Sequence, residues 1–245
     1  MKKLTLIALT SFLFLTLNSF AKEQQFPASI GEGTLTNLSR SGELDPPANA
    51  IFSQQPVGSD NAYFSDDGTI HNGQTIYEDF QGLTTDIGGI VFWGILWDQG
   101  ECYTQGASYD FDINFYQDNA GAVGTLVSTF TTAITPIPTG SSLSVAEIFR
   151  FEVTFPSGVS LQSGWVSVVR KNPTNLDCSF AWANTTLGNN SSAWKNLSSG
   201  INYQSDNLSF CLTGQPPVPV SNWALVFGIF LIGLFMIVRY KKRLA

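Results

Sequence analysis

Apolar and polar positions alternate with a period of two through the middle of the chain, the spacing of strands that bury one face. Phe111, Ile113 and Phe115 alternate with Asp110, Asp112, Asn114 and Tyr116, and Phe149, Phe151, Val153 and Phe155 alternate with Arg150, Glu152 and Thr154. Val166 and Val168 oppose Ser167, and Leu208, Phe210 and Leu212 oppose Ser209, Cys211 and Thr213. Strand-type runs are expected at 74–80, 89–97, 110–116, 124–132, 146–155, 164–170, 178–183 and 207–212. Turn signals such as Asp67-Gly68 and Asn72-Gly73 punctuate them, and none carries a helical stripe. About eight short strands predict an all-β domain, an antiparallel two-sheet sandwich or jelly roll, with a closed barrel as the structural alternative.

The pattern changes at both ends. Met1-Lys2-Lys3, the apolar run Leu4 to Leu17, and Ser19-Phe20-Ala21 form a signal peptide over 1–21, with cleavage expected after Ala21. Residues 22–60 are rich in Gly, Pro, Ser and Asn and predict an extended leader with one edge strand before a β-domain over 61–215. A Pro-rich linker follows at 216–222, then an uncharged run from Trp223 to Val238, then Arg239-Tyr240-Lys241-Lys242-Arg243. As a helix that run covers ~24 Å, enough for a transmembrane helix at 223–238 once the flanking Arg and Lys snorkel. Basic residues after it put the tail 239–245 in the cytoplasm and the β-domain outside, a single-pass envelope topology.

Charge sharpens this picture. All 19 acidic residues lie between Glu23 and Asp206, where six basic residues (Lys22, Arg40, Arg150, Arg170, Lys171, Lys195) leave a net of −13. Such a surface repels phosphate backbones and argues against nucleic acid as a partner.

The chain holds three cysteines. Strand directions put loops 98–109 and 171–177 at one end of the domain, where Cys102 and Cys178 can meet in a disulfide and leave Cys211 over; a Cys178–Cys211 pair and no bridge are the alternatives. An exported protein reaches a compartment that permits such a bond.

Catalytic chemistry finds little support. His71 is the sole histidine and falls at a turn, no Gly-x-Ser-x-Gly elbow precedes a helix, and no spacing selects a glycosidase pair among Glu78, Asp79, Glu147 and Glu152. No catalytic residue is assigned and no cofactor is expected. A structural calcium is the one metal suggested, through Asp66, Asp67 and Asp118, although no full calcium loop is present. Five tryptophans lie in the domain, of which Trp194 in the Asn/Ser-rich stretch 184–200 is the expected exposed ring for stacking on an extracellular glycan. Triplets at Asn37, Asn184, Asn189, Asn190, Asn196 and Asn207 match glycosylation acceptors by composition alone.

The wording of several strands carries a resemblance. Phe111-Asp-Ile-Asn-Phe-Tyr-Gln-Asp-Asn-Ala-Gly-Ala-Val-Gly124, Gly164-Trp-Val-Ser-Val168, Cys178-Ser-Phe-Ala-Trp182 and Asp206-Asn-Leu-Ser-Phe-Cys-Leu-Thr-Gly214 resemble uncharacterised bacterial exported β-sandwich domains that often bear surface-sorting tails. The tail Val218-Pro-Val-Ser-Asn-Trp-Ala-Leu225 with its basic end resembles the PEP-CTERM and IPTL-CTERM sorting classes. That likeness implies processing at Pro219, Ser221 and Trp223 by an exosortase-like enzyme. The tail lacks the Pro-Glu-Pro triplet of the first class and is one residue short between Pro and Ser of the second. Function is therefore expected to be non-enzymatic, in binding, adhesion or matrix assembly at the cell surface. The alternative is a displayed carbohydrate-binding module or carbohydrate-active enzyme.

Overall fold

A computed structural model describes residues 29, 35–36, 42–68, 71–97, 102–143, 146–171, 178–215, 230–233, 235 and 239–240. The expected signal peptide with Ala21, the linker, and the processing residues Pro219, Ser221 and Trp223 lie outside them. Of the expected span 223–238, residues 230–233 and 235 are described; they are helical and exposed. Among the described residues no helix is long and apolar enough to cross a membrane.

Strands dominate the rest. The first group is β1 (Leu35–Thr36), β2 (Ala50–Gln54), β3 (Ala62–Phe64), β4 (Thr75–Phe80) and β5 (Ile87–Trp97). Next come β6 (Tyr109–Asp118), β7 (Val123–Ile134), β8 (Ile137–Leu143), β9 (Ala146–Val159) and β10 (Gly164–Arg170). The last are β11 (Ser179–Thr185), β12 (Ser192–Lys195), β13 (Asn202–Gln204), β14 (Asn207–Leu208) and β15 (Phe210–Gly214). They form two antiparallel sheets, consistent with an all-β sandwich. The six-stranded sheet runs β13-β12-β4-β10-β6-β7. In the nine-stranded sheet β1, β8 and β9 lead to β5, whose other side meets β15 over 87–92 and β11 over 94–97. β2 and β3 flank β15 and β11 in turn.

β5 explains this branching. Its two faces are both apolar, and it is buried from Ile87 to Leu96. One face meets the six-stranded sheet: Phe92 stacks on Phe151 of β9 at 4.9 Å, meets Phe180 of β11 edge-on at 5.6 Å, and reaches Phe111 of β6 across the core at 5.5 Å. The opposite face, with Val91, Trp93 and Ile95, joins Phe64, Ile148, Leu143 and Cys211 in a second apolar layer under Leu44 and Ala50. Trp93 Nε1 donates to Glu43 O at 2.7 Å, tying residues 42–50 across that layer. The domain boundary expected at residue 61 therefore moves, because residues 42–60 bury apolar surface and contribute β2. Gly94 has no room for a side chain: a Cβ would lie 2.4 Å from the Phe180 ring and 2.5 Å from Ala181 O, where β11 and β15 meet against β5.

Both crossings between the sheets after β5 and after β10 fall at one end. Trp97 pairs with Ser179 and Arg170 with Phe111, so the chain leaves β5 and β10 there and enters β6 and β11 there. Gly214 pairs with Ile87 at the opposite end of β5. The start of the C-terminal tail and the inter-sheet crossings are thus separated by the 11 residues of β5, a strand length of ~36 Å.

Two surface expectations need correction. Trp194 is not an exposed loop ring: it is 2% exposed in β12, paired with Ile76 and Asn202, and its side chain joins the main core. The polar run around it hides a four-residue strand, Ser-Ala-Trp-Lys, whose tryptophan turns inward with Ile76 beside it. Asn184 and Asn207 are not available acceptors either. Asn184 Oδ1 accepts from Asp60 N and Asn61 N at 3.0 and 3.1 Å, and Asn207 Oδ1 accepts from Asn190 N at 2.8 Å. Both are buried, so their amides hold loops rather than face solvent.

Candidate functional site

The end that carries the inter-sheet crossings gathers the chemistry. A disulfide joins Cys102 to Cys178 there, with Cα atoms 5.1 Å apart. It links the segment entering β6 to the start of β11, one from each sheet. Cys211 lies away from it in the second apolar layer; burial pushes its thiol pKa up, and Ser53 Oγ lies 3.1 Å from its Sγ.

Beside the disulfide, residues 65–68 cross from β3 toward β4 and lie along the end of β10. Ser65 Oγ donates to Val168 O at 2.6 Å, Arg170 N donates to Ser65 O at 3.0 Å, and Asp67 N donates to Arg170 O at 3.0 Å. This clamp sets Asp66 next to Arg170, and both are buried at 1% and 6% exposure. Asp66 Oδ1 accepts from Gly68 N at 2.9 Å. Among the described residues Asp66 Oδ2 and Arg170 Nε and Nη1 have no hydrogen-bond partner of ordinary geometry. The guanidinium rests 4.9 Å from the centroid of the Tyr109 ring. Lys171, one residue on, faces outward and pairs with Asp67 at 2.6 Å and Asp112 at 3.3 Å.

Arg170 occupies this position because it continues the inward alternation of Val166 and Val168 to the rim of the sandwich. Burial pushes its pKa below the ordinary value, opposed by Tyr109, Asp66 and Asp67. Burial likewise raises the Asp66 carboxyl from 3.8 to about 6, against the opposing Gly68 amide, Ser179 and the Arg170 charge. Two buried guanidinium nitrogens and a buried carboxyl thus sit side by side, the carboxyl within reach of the Ser179 hydroxyl.

The three calcium candidates do not converge. Asp66 and Asp67 belong to this end, whereas Asp118 is at the far end of β6, where its Oδ1 accepts from Gly121 N at 2.8 Å in the β6–β7 turn. Asp67 is engaged by Lys171, and no group of three His, Cys, Asp or Glu side chains able to hold a metal ion occurs among the described residues. His71 stacks on Phe64 with ring centroids 3.6 Å apart, and burial pushes its pKa down.

A second polar feature is the burial of Glu78, which the sequence offers only as one carboxyl among several. Glu78 shares the inner face of β4 with Ile76 and Phe80 and is fully buried between the sheets. Gln54 Nε2 donates to its Oε1 at 3.2 Å, while Glu78 Oε2, Gln54 Oε1 and the neighbouring Ser192 Oγ have no partner among the described residues. Burial foremost, then the Asp79 charge, hold its pKa well above 4.5 despite the Leu208 backbone amide. Alternation along Thr75-Ile-Tyr-Glu-Asp-Phe80 already puts Glu78 on the apolar face. Asp79 points the other way, where its Oδ2 accepts from Asn189 Nδ2 at 2.7 Å, so the two carboxyls do not face one cleft.

These shifts set a pH dependence. Asp66 holds its proton more tightly when folded, so its ionisation costs nothing below about pH 3.8 and destabilises the fold as pH rises through about 6. Asp66→Asn is expected to stabilise the protein by about 3 kcal/mol at pH 7 and to leave it unchanged near pH 3. Glu78→Gln should act in the same direction. Urea unfolding of the full chain at several pH values checks both; a larger gain at acid pH than at neutral pH would contradict the assignment.

The fold defines the class, an antiparallel two-sheet sandwich with a disulfide-tied end. No protein-family model, curated protein or solved structure matches the chain.

Proposed function

We propose that this is a non-enzymatic protein of the bacterial cell envelope. It is exported, anchored by its C-terminal apolar run, and presents the disulfide-tied end of its sandwich for binding, adhesion or matrix assembly. The observation that carries the proposal is the polarity of the domain. Gly214, from which the tail departs, is at one end of β5, and the Cys102–Cys178 bridge with the Asp66 and Arg170 pair is at the other. An anchor at the first end holds the disulfide-tied end farthest from the membrane. A disulfide also belongs to an oxidising compartment, and the basic and apolar patterning of both termini agrees with export. The carbohydrate reading loses the ring it was built on, because Trp194 is in the core.

Protease added to intact cells tests the reading. The sandwich is expected to be accessible, or to become so when the outer layer alone is permeabilised, while an antibody against 239–245 stays blocked until the inner membrane is opened. A sandwich that resists protease until the cytoplasm is released would overturn it.

A further inference from the structure

The edges of the two sheets are treated unequally. Open strand edges recruit other strands, and proteins blunt them by shortness, charge, proline or bulges. Most edges here are blunted. β13, β3 and β1 have three, three and two residues, and β2 has five. β8 contains Pro138 and an irregular register, and the stretch of β9 beyond β8 carries Glu152 and Pro156.

β7 is the exception. Among the described residues it is the last strand of the six-stranded sheet and hydrogen-bonds only with β6, while Phe130 on its inner face stacks on Phe155 of β9. Its 12 residues, Val-Gly-Thr-Leu-Val-Ser-Thr-Phe-Thr-Thr-Ala-Ile, include no charge and no proline. From Ser128 to Ile134 its register with β6 is unbroken, and Leu126 and Val127 are 56% and 44% exposed. Register shifts between Ser128 and Leu126 and between Leu126 and Val123, and a bond from Val123 N to Tyr203 OH at 3.1 Å, fall in its first part.

We infer that β7 is a homophilic edge, pairing antiparallel with β7 of a second copy to join two six-stranded sheets into one. The strand's own chemistry selects a copy of itself. Its Thr, Ser and Val residues form favourable cross-strand pairs, and an uncharged strand meets its own copy in any antiparallel register without opposing like charges. It also gives two bodies of net charge −13 a strip on which to approach. Antiparallel pairing of identical edges is closed by a two-fold axis. That axis reverses the second copy along the strand direction. β7 runs from the tail end of the sandwich toward the disulfide end, since Asp118 pairs with Val123 and Tyr109 with Ile134. Two copies joined this way point their tails in opposite directions, as copies on two facing surfaces do. This orientation rests on the display reading, whereas the edge pairing does not.

The test is a cysteine scan over Thr125 to Ala133 in the full chain, carried by cells of two separately tagged populations that are mixed and oxidised. In a sheet, opposed residues share a face, so one residue lies opposite its own symmetry mate. Cross-linking between the two tags is expected to peak at one position and fall away on both sides. Adding Val127→Lys and Ala133→Lys to the peak variant should abolish it, while the melting temperature and the Cys102–Cys178 bridge are retained. Equal cross-linking at every position would mean parallel in-register stacking and overturn the inference, as would no intermolecular cross-link. A positional peak in detergent extracts but none between cells supports the edge and overturns the opposed geometry. A chain that protease cannot reach on cells marks failure of the display reading alone.

Discussion

Replacing Cys102 and Cys178 together by serine is expected to lower folding stability by about 4.5 kcal/mol, the loop-closure entropy of a bridge spanning 76 residues. The size follows from topology. Each cysteine lies at a crossing between sheets, so the bond removes unfolded conformations in which β6 and β11 separate. Denaturant unfolding of the full chain in mild detergent, oxidised wild type against the double variant, reads the difference. An unchanged midpoint would mean that the bridge constrains nothing, and with it the argument that one end of the sandwich is tied would fail. Cys211 should stay unreactive in both proteins until they unfold, because it lies in the second apolar layer.

Trp194→Ala is expected to cost about 3–5 kcal/mol, the range for emptying a buried aromatic site. At 2% exposure the indole contacts the interior and not a ligand. The cavity would open between β4 and β12 next to Ile76, close to the buried polar trio of Glu78, Gln54 and Ser192. That neighbourhood can collapse only by moving unmet polar atoms further into apolar surroundings, which argues for the upper part of the range. Thermal unfolding measures it. A variant as stable as the wild type, with a lost surface affinity instead, would restore the tryptophan to the role of a ligand platform.

The alternating stretches were legible because burial on one face of a strand enforces the period. The eight expected runs correspond to β4, β5, β6, β7, β9, β10, β11, and to β14 with β15, differing at their ends by up to four residues. β8 was hidden by Pro136, Pro138 and Gly140, which signal a break when no partner strand is known. β12 is hidden by the polarity of 184–200, and β13, just beyond it, by its length, since a three- or four-residue strand is too short to show a period. β2 and β3 depend on β15 and β11, which lie far away in sequence and lend them hydrogen bonds that no local pattern encodes.

The candidate site divides in the same way. Arg170 could be found from its parity with Val166 and Val168, and Glu78 from its parity with Ile76 and Phe80. What local sequence does not contain is the approach of Asp66 to Arg170, which needs the corner at 65–68 to fold over the end of β10. By composition alone Asp118 is equivalent to Asp66 as an oxygen donor, because composition ignores strand direction. The register of β6 against β10 puts Asp118 at the opposite end of the sandwich.

Intact mass of the chain recovered from the envelope fraction, alkylated before and after unfolding under non-reducing conditions, tests the central claim of an exported and displayed sandwich. The account predicts a chain that begins at Lys22, carries the Cys102–Cys178 bond, takes up no alkylating agent when folded and one equivalent, at Cys211, when unfolded. A soluble chain that begins at Met1 with three alkylatable thiols would contradict it.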